Sequence, residues 1–261
     1  MLLSDEAAFC HDERQLGMGG RDAKWGKHEE RGRMRVAEIY ASVQGEGLLT
    51  GVPSVFVRAS GCNLRCTFCD TPFASWRPEG RDLSIDEIFT QTINLPPSHV
   101  VLTGGEPMLF AELVPLCERL QDAKRHITIE TAGTLYLDLP CDLMSISPKL
   151  SNSTPSGTVE PKWRERHEST RSQLRVVQRL LDEHPHQLKF VVATPSDADE
   201  VFRYLDKLAR VDRDSVWLMP EGIDATRLSA LGDWLEPLCH RHGVRFCPRR
   251  QIEWYGNERG T

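Results

Sequence analysis

The chain has 261 residues, 39% hydrophobic and 27% charged, with a formal net charge of −6. That balance belongs to an ordinary globular protein and excludes a disordered or low-complexity chain. No apolar run approaches the roughly 20 residues of a membrane span. The opening MLLSDEAAFCHDER has neither the basic flank nor the apolar stretch of a secretory signal, so the expectation is a cytoplasmic protein with no membrane partner. The acidic balance also argues against nucleic acid as a partner. RFCPRR (245–250) is the one compact basic group, and it reads as a solvated strand end.

Residues 1–33 are polar and Gly-rich without helical or strand period, and are expected to form a mobile N-terminal extension ahead of a catalytic domain over 34–261. Met34 opens the first organised segment, MRVAEIYASVQGEG, and is an alternative start. Six short runs rich in β-branched and apolar residues then predict buried strands: 54–59 (SVFVRA), 100–103 (VVLT), 126–130 (HITIE), 143–147 (LMSIS), 187–192 (QLKFVV) and 215–219 (SVWLM). Helical spacing covers 84–94, 110–123, 170–183, 197–209 and 225–242. The first of these opens with Ser84 and Glu87 in a capping-box arrangement. The stretch 151–169, with Pro155, Gly157 and Pro161 as breakers, is expected to be a loop.

Strands alternating with helices imply parallel pairing through right-handed crossovers, in an incomplete barrel or an open doubly wound sheet. Nearly every predicted strand ends in a polar or turn-forming group: the cysteine loop, GGEP, TAGT, PK and PEG. In parallel barrels those ends converge on one face and carry the site. The expected fold is therefore α/β, a partial parallel β/α barrel with about six core strands.

Eight cysteines in a reducing compartment do not make a disulfide framework. Cys10, Cys117, Cys141, Cys239 and Cys247 are scattered, and Cys117 and Cys141 read as small core residues. Cys62, Cys66 and Cys69 instead cluster as C-x3-C-x2-C within SGCNLRCTFCDTP (60–72). A structural zinc site needs four ligands, and the sequence has neither a second C-x2-C nor a finger-like histidine pair; His99 and His126 stand isolated. An electron-transfer cluster also takes four thiolates, so three would leave one iron open to a reactant. Gly61 and Asn63 permit tight turns around the sulfurs, Arg65 offsets a cluster's negative charge, and Phe68 covers one side. Downstream, TGGEP (103–107) ends a strand in Gly104-Gly105, which admits close backbone approach to a ligand, and Glu106 can accept from an ammonium.

The three-cysteine loop followed by TGGEP resembles the radical S-adenosylmethionine superfamily. That resemblance implies a [4Fe–4S] cluster on Cys62, Cys66 and Cys69, with S-adenosylmethionine chelating the fourth iron. It also implies an electron donor such as flavodoxin or ferredoxin, whose electron yields a 5′-deoxyadenosyl radical. SVQGEG (42–47), CDT (69–71) and SISPKL (145–150) look like the 7-carboxy-7-deazaguanine synthase family over about 34–222. Those lyases convert 6-carboxy-5,6,7,8-tetrahydropterin to 7-carboxy-7-deazaguanine and ammonia with Mg2+, in queuosine-type biosynthesis.

The family resemblance implies substrate contacts from Val43, Gln44, Gly45, Glu46, Arg58 and Thr103, with Arg58 on the substrate carboxylate, and Mg2+ on Thr71. It implies cofactor contacts from Gly104, Gly105, Glu106, Ser147, Pro148, Lys149, Leu218, Met219, Pro220 and Glu221. A homodimer is implied as well. From the residues alone, a charge within the apolar strand SVFVRA points to a ligand for Arg58, or else to an ion pair with Glu46 or Glu106, and Asp70 serves the turn of the loop. The ending RQIEWYGNERGT departs from the family pattern, leaving Gln251 or Trp254 as candidates to close the site. Two rival readings stand: another radical enzyme, such as a glycyl-radical activase, and a non-enzymatic iron–sulfur or zinc module.

Overall fold

The computed structural model describes residues 32–156 and 161–261. The expected extension lies outside the described residues except at its end, where Arg33 already opens the first strand. The elements in order are β1 (Arg33–Val43), β2 (Pro53–Ala59), β3 (Arg81–Ser84), α1 (Ile85–Ile93), β4 (His99–Gly104), α2 (Leu113–Asp122), β5 (His126–Thr131) and β6 (Leu143–Ile146). There follow α3 (Pro161–Thr170), α4 (Leu174–Glu183), β7 (His186–Val192), α5 (Pro195–Leu205), β8 (Val216–Pro220), α6 (Ala225–His242), β9 (Arg245–Phe246) and α7 (Arg250–Tyr255).

All described strands join one sheet in the order β3-β1-β2-β4-β5-β6-β7-β8-β9. The six predicted strands are its parallel centre, β2 to β8, while β1 runs antiparallel to β2 and β3. The sheet is not closed, since β3 and β9 are its edges. It is strongly curved all the same. Five strand steps separate β1 from β7, roughly 24 Å in a flat sheet. Yet Lys189 of β7 donates to Glu46, just past β1, at 3.0 Å. The end of β1 and the middle of β7 therefore face one another across a concave surface.

The outer face is sealed by apolar side chains, with Leu116 and Leu120 of α2, Leu180 of α4 and Val201 of α5 buried against strand residues such as Leu102, Ile129, Ile146 and Phe190. Each such side chain contributes about 1.5–3 kcal/mol by leaving water. The Ser84–Glu87 capping box forms as expected at the start of α1. The loop expected over 151–169 contains α3 instead: Pro161 is its first residue, where a missing N–H costs nothing, and of its side chains only His167 is buried. With no apolar stripe, that helix left no period to read. Among the described residues no helix is long and apolar enough to cross a membrane.

Candidate active site

The cysteine loop leaves the end of β2 and is tied down residue by residue. Gly61 N–H donates to Ala74 O at 2.8 Å, Thr67 N–H to Ser153 O at 2.9 Å, and Trp76 Nε1–H to Cys66 O at 3.0 Å. Gly61 takes φ +144°, as expected of a glycine turn. Asn63 works differently from expectation: its φ is not positive, and its side-chain amide donates to Thr134 Oγ1 at 2.9 Å. Arg65 donates to the Cys62 and Leu64 carbonyls and stacks 4.2 Å above Trp163 of α3. Its backbone N–H donates to His167 Nδ1 at 3.1 Å. Burial lowers His167 to about 4, keeping it a neutral acceptor, with Nε2–H left to donate to Ser153 Oγ at 2.9 Å.

Gly104 and Gly105 belong to the same construction. A Cβ on Gly104 would lie 2.0 Å from Ala59 O, and one on Gly105 would lie 2.2 Å from Gly61 O and 2.5 Å from Ala74 O. The glycine pair thus lets β4 pack directly on the cysteine loop. Glu106 holds this junction from inside. Fully buried, it accepts from Thr131 Oγ1, Ala132 N–H and Met108 N–H at 2.8–3.1 Å. Burial still pushes its carboxyl above the ordinary range.

Beside this loop the concave face encloses a cavity of about 550 Å³. Val43, Gln44, Gly45, Glu46, Arg58 and Thr103 line it, as do Cys66, Cys69 and Thr71. Gly104, Ser147, Lys149, Met219 and Glu221 complete the expected set that reaches it. Cys62, Gly105, Glu106, Pro148, Leu218 and Pro220 are not in its wall; Leu218 is fully buried in the core. Lys149 folds back to donate to Ser147 O and Oγ at 2.7 and 2.9 Å.

The charges of the wall form one chain, and most of it was not anticipated. Thr103 Oγ1 donates to Glu130 at 2.8 Å, and Lys189 Nζ donates to Glu130 at 2.9 Å and to Glu46 at 3.0 Å. Glu46 also accepts from Arg249 Nε at 3.1 Å and Gln251 Nε2 at 2.6 Å, and Arg249 continues to Asp70 and to Gly222 O. Burial alone would raise the Glu46 carboxyl, but Lys189 and Arg249 outweigh it and hold it well below the carboxylate range. Arg249 corrects the reading of RFCPRR as a solvated strand end: it is 9% exposed and ties α7 to the cysteine loop. Asp70 likewise serves an ion pair beyond its own turn.

Arg58 is paired, but with neither expected partner. Its Nε donates to Glu38 and its Nη2 to Tyr40 Oη, both at 2.7 Å. His99 and His126, read as isolated, pack together with ring centres 4.4 Å apart and planes tilted by 33°, at the far ends of β4 and β5. Of the two candidates to close the site, Gln251 lies in the cavity wall and donates to Glu46, and the tail joins it. Residues 256–261 line the cavity, and Arg259 anchors them by donating to Glu38 and Glu79 at 2.9 Å while lying 3.9 Å over Phe73. Trp254 stands outside, 43% exposed.

The cysteines fit an iron–sulfur cluster. Burial pushes the Cys62 thiol up to about 11 and Cys66 to about 12, a cost that bound cations reverse. Among the described residues no three His, Cys, Asp or Glu side chains converge on one ion position. The donor chemistry is that of a cuboidal cluster: three sulfurs from one loop, two of them, Cys66 and Cys69, on the cavity wall, with one iron left open.

Fold and loop together define a radical S-adenosylmethionine enzyme, and the sequence profile of the Radical SAM superfamily matches residues 56–209. A 7-carboxy-7-deazaguanine synthase of Rhodopirellula baltica is 45% identical over 230 residues, covering 87% of this chain and 88% of its own. Another from Halobacterium salinarum is 42% identical over 227 residues, covering 83% and 88%. The crystal structure of QueE from Escherichia coli superposes with a TM-score of 0.62 at 21% identity over 83% of this chain and 93% of that one, which supports the fold. The chain belongs to the 7-carboxy-7-deazaguanine synthase family, radical SAM lyases whose superfamily implies a [4Fe–4S] cluster and S-adenosylmethionine.

Proposed function

We propose that the enzyme converts 6-carboxy-5,6,7,8-tetrahydropterin to 7-carboxy-7-deazaguanine with release of ammonia, a Mg2+-dependent ring contraction in 7-deazapurine biosynthesis. Loss of ammonia accounts for the whole change in composition, so no net oxidant is consumed. The observation that carries this reading is a cavity with Arg58 at one side, the cysteine loop at another, and ionised carboxylates between them. A guanidinium fork matches the carboxylate of the substrate, and carboxylates accept from the N–H groups of an aminopyrimidine ring.

The cluster and S-adenosylmethionine, when bound, supply the carbon-centred radical that removes a hydrogen atom. The protein's own part is to hold the ring against that centre. Arg58 grips the substrate carboxylate, with Glu38 and Tyr40 fixing its plane. Gln44 and the backbone beside it hold the pterin edge; this turn is rigid because Gln44 N–H donates to Val52 O and its amide to Ser54 Oγ. Thr103, oriented by Glu130, borders the substrate. Ser147 and Lys149 lie on the cofactor side, where the Lys149 charge reaches Cys66. Thr71 would offer Mg2+ a hard hydroxyl oxygen at the cavity wall, and the bound cation would supply positive charge beside the substrate carboxylate. The 256–261 tail excludes water above them. A flavodoxin- or ferredoxin-like donor supplies the electron, and the enzyme works as a homodimer.

The test is the dependence of 5′-deoxyadenosine and ammonia formation on added pterin, in anaerobic enzyme with reconstituted cluster and a chemical reductant. Ammonia release that requires both 6-carboxytetrahydropterin and Mg2+ supports the reading. 5′-Deoxyadenosine formed at the same rate with and without the pterin, and no ammonia, refutes the substrate.

A further inference from the structure

Lys189 sits in the middle of β7, its side chain only 5% exposed, with a single ammonium shared between Glu46 at 3.0 Å and Glu130 at 2.9 Å. A buried ammonium is expensive unless fully paired. Here both partners come from distant segments, the turn after β1 and the end of β5. Because both carboxylates touch one nitrogen, they lie within about 6 Å of each other. The two are not equivalent. Glu46 is 18% exposed and takes donors from Lys189, Arg249 and Gln251. Glu130 is 32% exposed, with one oxygen on Lys189 and the other on Thr103, and it presents the more open lone pairs to the cavity. The chain alternates in sign from Glu130 through Lys189, Glu46 and Arg249 to Asp70, and Lys189 is the cation on which its Thr103 half depends.

We propose that Lys189 is a positioning residue of the catalytic cavity, whose ammonium fixes Glu46 and Glu130 as one charged pair against which the N–H-bearing edge of the substrate ring is read. This rests on the function proposed above. Without the ammonium, two carboxylates share a site, and one of them retains a proton that the other's charge favours. A protonated carboxyl is a poorer acceptor for ring N–H groups, so binding weakens most where that proton is retained.

The other groups facing this pair cannot produce such a response. Arg249 is charged throughout, and burial pushes the Cys247 thiol up to about 12. Tyr40 beside Glu130 is raised above its ordinary value, mainly by burial. Among the protein groups facing this pair, only the carboxylates are free to respond between about pH 6 and pH 7, below the ionisation of the pterin's own ring N–H.

The experiment uses full-length enzyme with reconstituted cluster and follows the binding of 6-carboxypterin, an unreactive oxidised relative of the substrate, by its fluorescence. S-Adenosylmethionine binding is measured in parallel. Wild type is expected to bind the pterin with the same Kd from about pH 6 to about pH 7. Lys189→Met is expected to bind it about tenfold more weakly at the acid end and to recover as pH rises, with S-adenosylmethionine affinity within about twofold of wild type. Lys189→Met/Glu46→Gln keeps the charge balance if the single variant fails to fold. It is expected to bind weakly with no pH dependence, since no second carboxylate remains to share a proton. Lys189→Met with wild-type affinity overturns the proposal. So does a uniform loss with an unchanged pH profile, or a pH-dependent double variant. Wild-type enzyme that does not bind the pterin at any pH overturns the functional reading itself, a result distinct from a variant indistinguishable from a binding-competent wild type.

Discussion

Replacing Arg249 with methionine removes the cation that joins Glu46 to Asp70 and leaves both carboxylates behind. Arg249 is 10% exposed at its side chain, Glu46 18% and Asp70 38%. Breaking a buried pair by removing one partner costs about 3–5 kcal/mol. The half-exposed Asp70 contact adds little because solvent screens it, so the lower end, about 3 kcal/mol, applies. For a domain of this size each kcal/mol moves Tm by about 2–4 °C, which gives a fall of about 6–12 °C. The pH dependence sharpens the test. The Glu46 carboxyl is held below its unfolded value, so its stabilisation is complete above about pH 4.3 and is lost as pH falls through that value toward the folded one. In Arg249→Met the folded carboxyl moves back toward the ordinary range, and less remains to lose. Thermal melts by circular dichroism should therefore show the gap between wild type and variant narrowing as pH is lowered from about 6 to about 3. A Tm change below about 2 °C at neutral pH, or a gap that widens in acid, refutes the reasoning.

Arg58→Lys keeps the charge but loses the fork; a loss of about 2 kcal/mol, roughly thirtyfold, is expected mainly in KM for the pterin, and an unchanged KM would remove Arg58 from substrate binding. Gly105→Ala drives a Cβ to 2.2 Å from Gly61 O, backbone that cannot yield, so iron per protein after reconstitution should fall by more than about half. His167→Leu orphans the Arg65 N–H beside the cluster at a cost of about 1–3 kcal/mol, and the cluster absorbance should bleach in air faster than in wild type; equal bleaching would confine His167 to packing.

Much of this was legible because it is local. Six apolar runs gave six parallel strands, the Ser84 and Glu87 pair gave its capping box, and the spacing of Cys62, Cys66 and Cys69 gave the loop. The charged chain was harder, since Glu46 and Lys189 are 143 residues apart and Glu46 and Arg249 203 apart. One signal was nevertheless present. A charge within an apolar strand singled out Arg58, and the same rule applied to QLKFVV and HITIE marks Lys189 and Glu130. No comparable signal marks Arg249, whose burial depends on α7 folding back over Gly45, where a Cβ would meet Gln251 N at 2.5 Å. Nor does one mark α3, whose buried contribution is His167 alone.

The central claim is that this cavity contracts a carboxylated pterin beside a three-thiolate cluster. The most direct measurement is anaerobic turnover of wild type and Cys66→Ala with S-adenosylmethionine, Mg2+, reductant and 6-carboxytetrahydropterin, followed by mass spectrometry. The account predicts 7-carboxy-7-deazaguanine from wild type and none from the variant. Wild-type enzyme with an intact cluster that forms no such product, or a Cys66→Ala variant that forms it undiminished, contradicts the account.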